Sequence, residues 1–119
     1  MKQFILGRLA SIKFVLKGMF ILFTSEHAII TQSIVGLLLV GLGFYLELAR
    51  ADWMWLIFSI GLVLVVESLN TAIEQVCNFV HPDHHKQIGL IKDIAAGAVG
   101  IAALFAFIMA MFIFIPYLK

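Results

Sequence analysis

The sequence predicts an all-α membrane protein, with an interfacial helix followed by three transmembrane helices. Of its 119 residues, 63% are hydrophobic and 13% charged, whereas a soluble domain carries about 45–50% and about 25%. The mean hydropathy is +1.10. The apolar residues also form continuous runs and do not alternate, which selects helices over barrel strands as the spanning element. Residues 1–119 read as a single domain.

The first element covers about residues 1–25. Phe4, Ile5, Leu9, Ile12, Leu16 and Phe20 mostly recur at three- and four-residue spacings, with Arg8, Lys13 and Lys17 between them. The cations interrupt any secretory-signal core, and the pattern predicts an amphipathic helix lying in the membrane interface. The first span follows over about 29–48, with Thr31, Gln32 and Ser33 near its start. Glu47, Arg50 and Asp52 mark a short turn. Trp53 and Trp55, suited to the headgroup boundary, open the second span, which runs to about Phe79. A polar insert from His81 to Asp93 leads to the third span, about 94–117, closed by Pro116 and Lys119. Each span reaches the roughly 20 residues needed to cross about 30 Å of hydrocarbon.

Orientation follows from the cations. Lys2, Arg8, Lys13 and Lys17 precede the first span, and Lys86 and Lys92 lie two crossings later on the same side; Arg50 and Lys119 fall opposite. This bias predicts a cytoplasmic N-terminus and a cytoplasmic His81–Asp93 segment. Small residues crowd the third span (Ala95, Ala96, Gly97, Ala98, Gly100, Ala102 and Ala103), and Gly36, Gly41 and Gly43 sit in the first. Close helix approach needs such residues, so the third span is expected at the centre of a bundle.

The second span carries Glu67, Asn70 and Glu74 toward its cytoplasmic end, and Asn78 continues the row. Helical residues advance 100° each, so these four share one face, with Ile, Leu, Val and Ala on the others. A carboxylate near hydrocarbon costs several kcal/mol unless protonated, paired or bound to a cation, which makes the stripe a functional-site candidate. The row is confined to one end: from Trp53 to Val66, Ser59 is the one polar side chain beyond the tryptophans. A proton or cation transporter would need polar groups through the full membrane depth. Simple snorkelling of the two glutamates, or an interhelical hydrogen bond from Asn70, are the structural alternatives.

Other features point to less. A net charge of +1 without a basic cluster gives no case for nucleic acid. Cys77, the one cysteine, can form no intrachain disulfide and reads as a packing residue. His81, His84 and His85 lack the regular ligand spacing of a zinc site and read as a solvated loop.

The run Glu67-Ser-Leu-Asn70-Thr-Ala-Ile-Glu74, followed by Lys92-Asp93-Ile-Ala-Ala-Gly-Ala-Val99, resembles the signature of the prokaryotic diacylglycerol kinases, a family that includes undecaprenol kinases. The resemblance extends to length, the N-terminal helix, the three spans and Glu26 ahead of the first. It implies a homotrimeric membrane kinase with sites between subunits, transferring the ATP γ-phosphate to a lipid hydroxyl, that of diacylglycerol before undecaprenol. By matched position, Glu67 is implied as catalytic base, and Glu26 and Glu74 as ligands of Mg2+. Nucleotide contacts are implied for Glu26, Asn70, Glu74, Lys92 and Asp93, and for Asp83, His84 and His85 in the loop. Arg8 and Lys17, with Glu67, are assigned to lipid substrate, although attraction of the cations to anionic lipid accounts for them equally. Three positions depart from the pattern. Asn78 replaces an acid, no arginine follows in Glu26-His-Ala-Ile-Ile-Thr-Gln, and Gln32 stands where some members carry an acid.

Overall fold

In the computed structural model, which describes residues 1–118, four α-helices and a terminal 3-10 turn follow one another without a strand: α1 Lys2–Ser25, α2 His27–Tyr45, α3 Arg50–Val80, α4 Lys86–Phe114, then Ile115–Tyr117. Lys119, assigned above to the far side of the membrane, lies outside the described residues. Three helices are long and apolar enough to cross a membrane: His27–Tyr45, Arg50–Val80 and the Lys86–Tyr117 run. The interior of the chain is thin, because most apolar side chains face outward, as expected where lipid is the solvent.

α1 and α2 are separated by one extended residue, Glu26, at φ −96° and ψ 111°. α1 buries none of its residues. Phe4, Leu9, Ile12, Leu16 and Phe20 are exposed as the interfacial reading expects, and exposed Leu6, Phe14 and Val15 widen the apolar surface beyond one stripe.

α2 and α3 run antiparallel in a register fixed at two points. A Cβ on Gly36 would come 3.0 Å from Ile60 Cγ2, and one on Gly43 would come 2.9 Å from both Leu48 Cδ1 and Trp53 Cη2. Gly36 and Gly43 therefore serve close helix approach, while Gly41 meets nothing. α2 ends with Glu47 in the left-handed region at φ 55°. There the Leu48 N–H donates to Gly43 O (3.1 Å) and the Glu47 N–H to Phe44 O (3.3 Å), the paired bonds of a Schellman ending. Two substitutions in this turn are expected to move stability in opposite directions. Gly43→Ala forces a methyl against the indole of Trp53, itself packed at a 52° tilt on Phe44 with ring centres 4.7 Å apart, and should destabilise by about 1–3 kcal/mol. Glu47→Gly removes the left-handed penalty and should stabilise by up to about 1 kcal/mol. Reversible unfolding in mixed micelles measures both.

α3 and α4 form the main helix pair, joined by His81–His85. Leu56 and Ile113 belong to one buried cluster at the far end, and Lys92 Nζ donates to Asn78 Oδ1 at 2.7 Å at the other. A clasp adds to the far end: Tyr117 OH donates to Asp52 Oδ2 (2.6 Å) and accepts from the Ala49 N–H (3.0 Å). One sequence expectation is corrected here. The polar insert is helical from Lys86 onward, so Lys86, Gly89, Lys92 and Asp93 occupy the first turns of α4. Polar residues belong in a membrane helix wherever it projects past the hydrocarbon. The small-residue face of α4 is also only half used within the chain. Ala95 and Ala102 are buried, whereas Gly97 and Gly100 have open space where a Cβ would be.

Candidate functional site

α3 has 31 residues, about 46 Å at about 1.5 Å per residue, against about 30 Å of hydrocarbon. With Trp53 at one boundary, the surplus emerges at the end that carries the stripe. Glu67 then lies about 9 Å inside the opposite boundary, Glu74 near it and Asn78 beyond it. Helix geometry thus offers a row of oxygens rising from apolar surroundings into water.

Glu67 and Asn70 are buried, at 7% and 8% exposure, and Glu74 is half-buried. Asn70 Nδ2 donates to Glu74 Oε1 at 3.2 Å, which fixes the amide's orientation. Its Oδ1, turned the other way, is buried without a hydrogen-bond partner. A buried acceptor left unmatched costs roughly 1–3 kcal/mol, so a donor or a cation from outside the chain is the natural complement. No hydrogen bond among the described residues holds the Glu67 carboxylate; the Thr71 hydroxyl donates to its backbone oxygen at 3.1 Å. Continuing the α3–α4 register from Asn78–Lys92 and Leu56–Ile113 sets Ala102 level with Glu67 and Ala95 level with Glu74. Both alanines are buried, and their small side chains leave room for the acids.

The α2–α3 register, continued from Gly36–Ile60 and Gly43–Trp53, brings Glu26 to the depth of Asn70. Glu26 is half-buried at the kink and makes no side-chain cap bond. The fold therefore ranks the four along about 10 Å of α3, with Glu67 deepest, Glu26 level with Asn70, Glu74 outermost, and Lys92 a turn farther out. It does not join Glu26 to the stripe by a hydrogen bond, and no three His, Cys, Asp or Glu among the described residues form a metal-ligating group. This donor set suits magnesium, a hard cation commonly held by one or two carboxylates while phosphates and water complete its shell. It does not suit an all-protein cage.

The remaining candidates lie apart. Arg8 and Lys17 are exposed on α1, Arg8 over the Phe4 ring at 5.3 Å. Asp83, His84 and His85 are exposed in the connection; His84, His85, Lys86, Gln87 and Asp93 line an open hollow at the start of α4. Gln32 and Ser59 contribute to the wall of an otherwise apolar cavity between α2, α3 and α4. The missing acid at position 78 has a definite consequence, because the acceptor that Lys92 meets there, Asn78, is neutral, and no ion pair holds that cation among the described residues. Sequence reading missed both this tie and the Tyr117–Asp52 clasp. Crossing parity puts each pair on one side of the membrane, which was the available signal.

Residues 13–114 match the prokaryotic diacylglycerol kinase family. The chain is 40% identical over 76 residues to the undecaprenol kinase of Bacillus subtilis, covering 64% of this chain and 62%, under two thirds, of that protein. It is 34% identical over 92 residues to the diacylglycerol kinase of Escherichia coli K12, covering 77% and 75%. It is also 30% identical over 92 residues to the diacylglycerol kinase of Haemophilus influenzae, covering 77% and 78%.

Proposed function

The chain belongs to the prokaryotic diacylglycerol kinase family, and from that premise we propose that it transfers the γ-phosphate of ATP to the hydroxyl of a membrane lipid at the cytoplasmic surface. The observation that carries this reading is the Glu67–Asn70–Glu74 row, which rises from inside the hydrocarbon to its boundary, with its unpartnered buried amide oxygen.

Phosphoryl transfer calls for alignment, neutralisation of phosphate charge and a group to receive the nucleophile's proton. Glu67, deepest in the row and without a side-chain partner among the described residues, takes the proton from the lipid hydroxyl in this reading. Glu74 and Glu26, at the water-facing side and the kink, are the residues to hold Mg2+. Magnesium, when bound, supplies neutralisation of the phosphate oxygens. Asn70 orients Glu74 and presents its free carbonyl oxygen. Lys92, held over the row by an uncharged acceptor, offers its full positive charge to the nucleotide phosphates, and Asp93 with the His84–His85 hollow borders them.

Diacylglycerol is the first acceptor proposed, on the breadth of the match to the diacylglycerol kinases. Undecaprenol is the second, on the higher identity to the undecaprenol kinase. Both end in a primary hydroxyl, and apolar walls separate such chains weakly. Purified protein in mixed micelles, given labelled ATP and both lipids in competition, tests the activity and ranks the acceptors. Absence of any lipid-dependent phosphate transfer would overturn the kinase reading.

We place the protein in the bacterial inner membrane with its N-terminus cytoplasmic, and propose a homotrimer. The open Gly97–Gly100 face of α4 supports self-association, since small residues are used where helices meet and no helix meets these glycines among the described residues. Gly97→Leu should leave the single-chain fold intact and shift the population toward monomers, read by crosslinking in bilayers. An unchanged oligomer would remove Gly97 from the contact.

A further inference from the structure

The α3–α4 connection is closed by two imidazoles with opposite hydrogen-bonding roles. His81, ending α3, contacts Asp83 O through Nδ1 at 2.9 Å. A carbonyl only accepts, so His81 Nδ1 carries a proton. His85, the N-cap of α4, meets the Gln87 backbone N–H through its own Nδ1 at 3.0 Å. An amide N–H only donates, so His85 Nδ1 must be bare and the ring neutral. The two rings lie 4.9 Å apart at 59°.

We propose that His85 is a proton-released cap of α4, holding the first turn of that helix when neutral and letting it go when protonated. Imidazoles change charge between about pH 5 and 8. Adding a proton to His85 Nδ1 removes the acceptor for Gln87 N–H. It also sets a cation at the positive end of the helix dipole, against the ring of His81 and beside His84 and Lys86. Asp83, in the connection, and Asp93, lining the same hollow from α4, are the opposing charges. Lys92 is engaged with Asn78. Protonated His81 keeps its donor and its bond to Asp83 O, so the response is specific to His85. The same hydrogen bonding leaves His85 Nε2 protonated, which disfavours the pair as metal ligands. Loosening the first turn disturbs the helix that carries Lys92 and Asp93. That regulatory consequence rests on the kinase reading, whereas the cap itself does not.

The test is backbone amide exchange at Gln87 in bicelles, corrected for the intrinsic pH dependence of exchange, on the full chain without nucleotide. Between pH 7.5 and 5.5 the parent should lose about five-fold in protection, the scale of a lost N-cap. His85→Asn, whose carbonyl caps without titrating, should show no such step, and His81→Asn should retain it. A parent without the step, a step that persists in His85→Asn, or one that vanishes in His81→Asn would each overturn the proposal. In the kinase assay, the acid limb of turnover should extend to lower pH in His85→Asn than in the parent. An exchange step with coincident acid limbs would overturn the regulatory role.

Discussion

Glu67→Gln is expected to reduce lipid phosphorylation by about 10²–10⁴-fold, the range for loss of a positioned proton acceptor. Glutamine keeps the shape of the side chain, and Glu67 gives its carboxylate to no other group among the described residues, so no hydrogen bond among them is broken. The Thr71 hydroxyl bonds the backbone oxygen of residue 67, which the substitution leaves in place. Nucleotide affinity should stay within a few-fold of the parent, because the proposed phosphate and metal contacts lie farther toward water. Equilibrium binding of ATP measured alongside turnover separates the two effects. Parental turnover in a folded Glu67→Gln protein would remove Glu67 from the base role.

Glu74→Gln is expected to raise the magnesium concentration for half-maximal activity by at least the roughly 10–100-fold seen when a metal ligand's supporting partner is altered. Glutamine retains a carbonyl oxygen able to accept from Asn70 Nδ2, as Glu74 Oε1 does at 3.2 Å. The substitution therefore removes charge while preserving the orientation of the amide. Glu26→Gln should move the titration in the same direction, since the α2–α3 register brings Glu26 to the depth of Asn70. Magnesium titrations of parent and variants at saturating ATP decide the matter. Curves that overlay would show that neither carboxylate holds the cation.

The helices were legible because lipid imposes a coarse rule, that spanning segments be long, apolar and internally hydrogen-bonded. Composition alone was enough for α2 and α3. The same rule placed the start of α4 too late, since it discounts polar residues that extend a helix into water, as Lys86 to Asp93 do. Helical spacing also put Glu67, Asn70 and Glu74 on one face. It could not tell which oxygen of that face lacks a partner, because Asn70's orientation depends on the position of Glu74 one turn away. Depth along neighbouring helices was hidden as well. The levels of Glu26 and Lys92 relative to the stripe depend on where Gly36, Gly43 and Asn78 meet their partners, contacts with no signature in a single sequence. The small residues of α4 were visible, but which of them face inward was not.

The surplus length of α3 makes bilayer thickness a variable of the chemistry. With Trp53 at one headgroup layer, Glu67 lies about two turns inside the other, and the stretch of helix between them cannot lengthen. A thicker hydrocarbon layer draws Glu67 and Asn70 deeper and raises the cost of an ionised carboxylate; a thinner one lifts them away from the layer where a lipid's hydroxyl resides. Tilt absorbs part of the mismatch, but the Tyr117–Asp52 clasp and the Asn78–Lys92 tie bind α3 to its neighbours at both ends, so the helices tilt together. On the proposed kinase reading, a rigid rod of fixed height, standing in a fluid whose depth depends on acyl-chain length, ties turnover to the composition of the lipids around it.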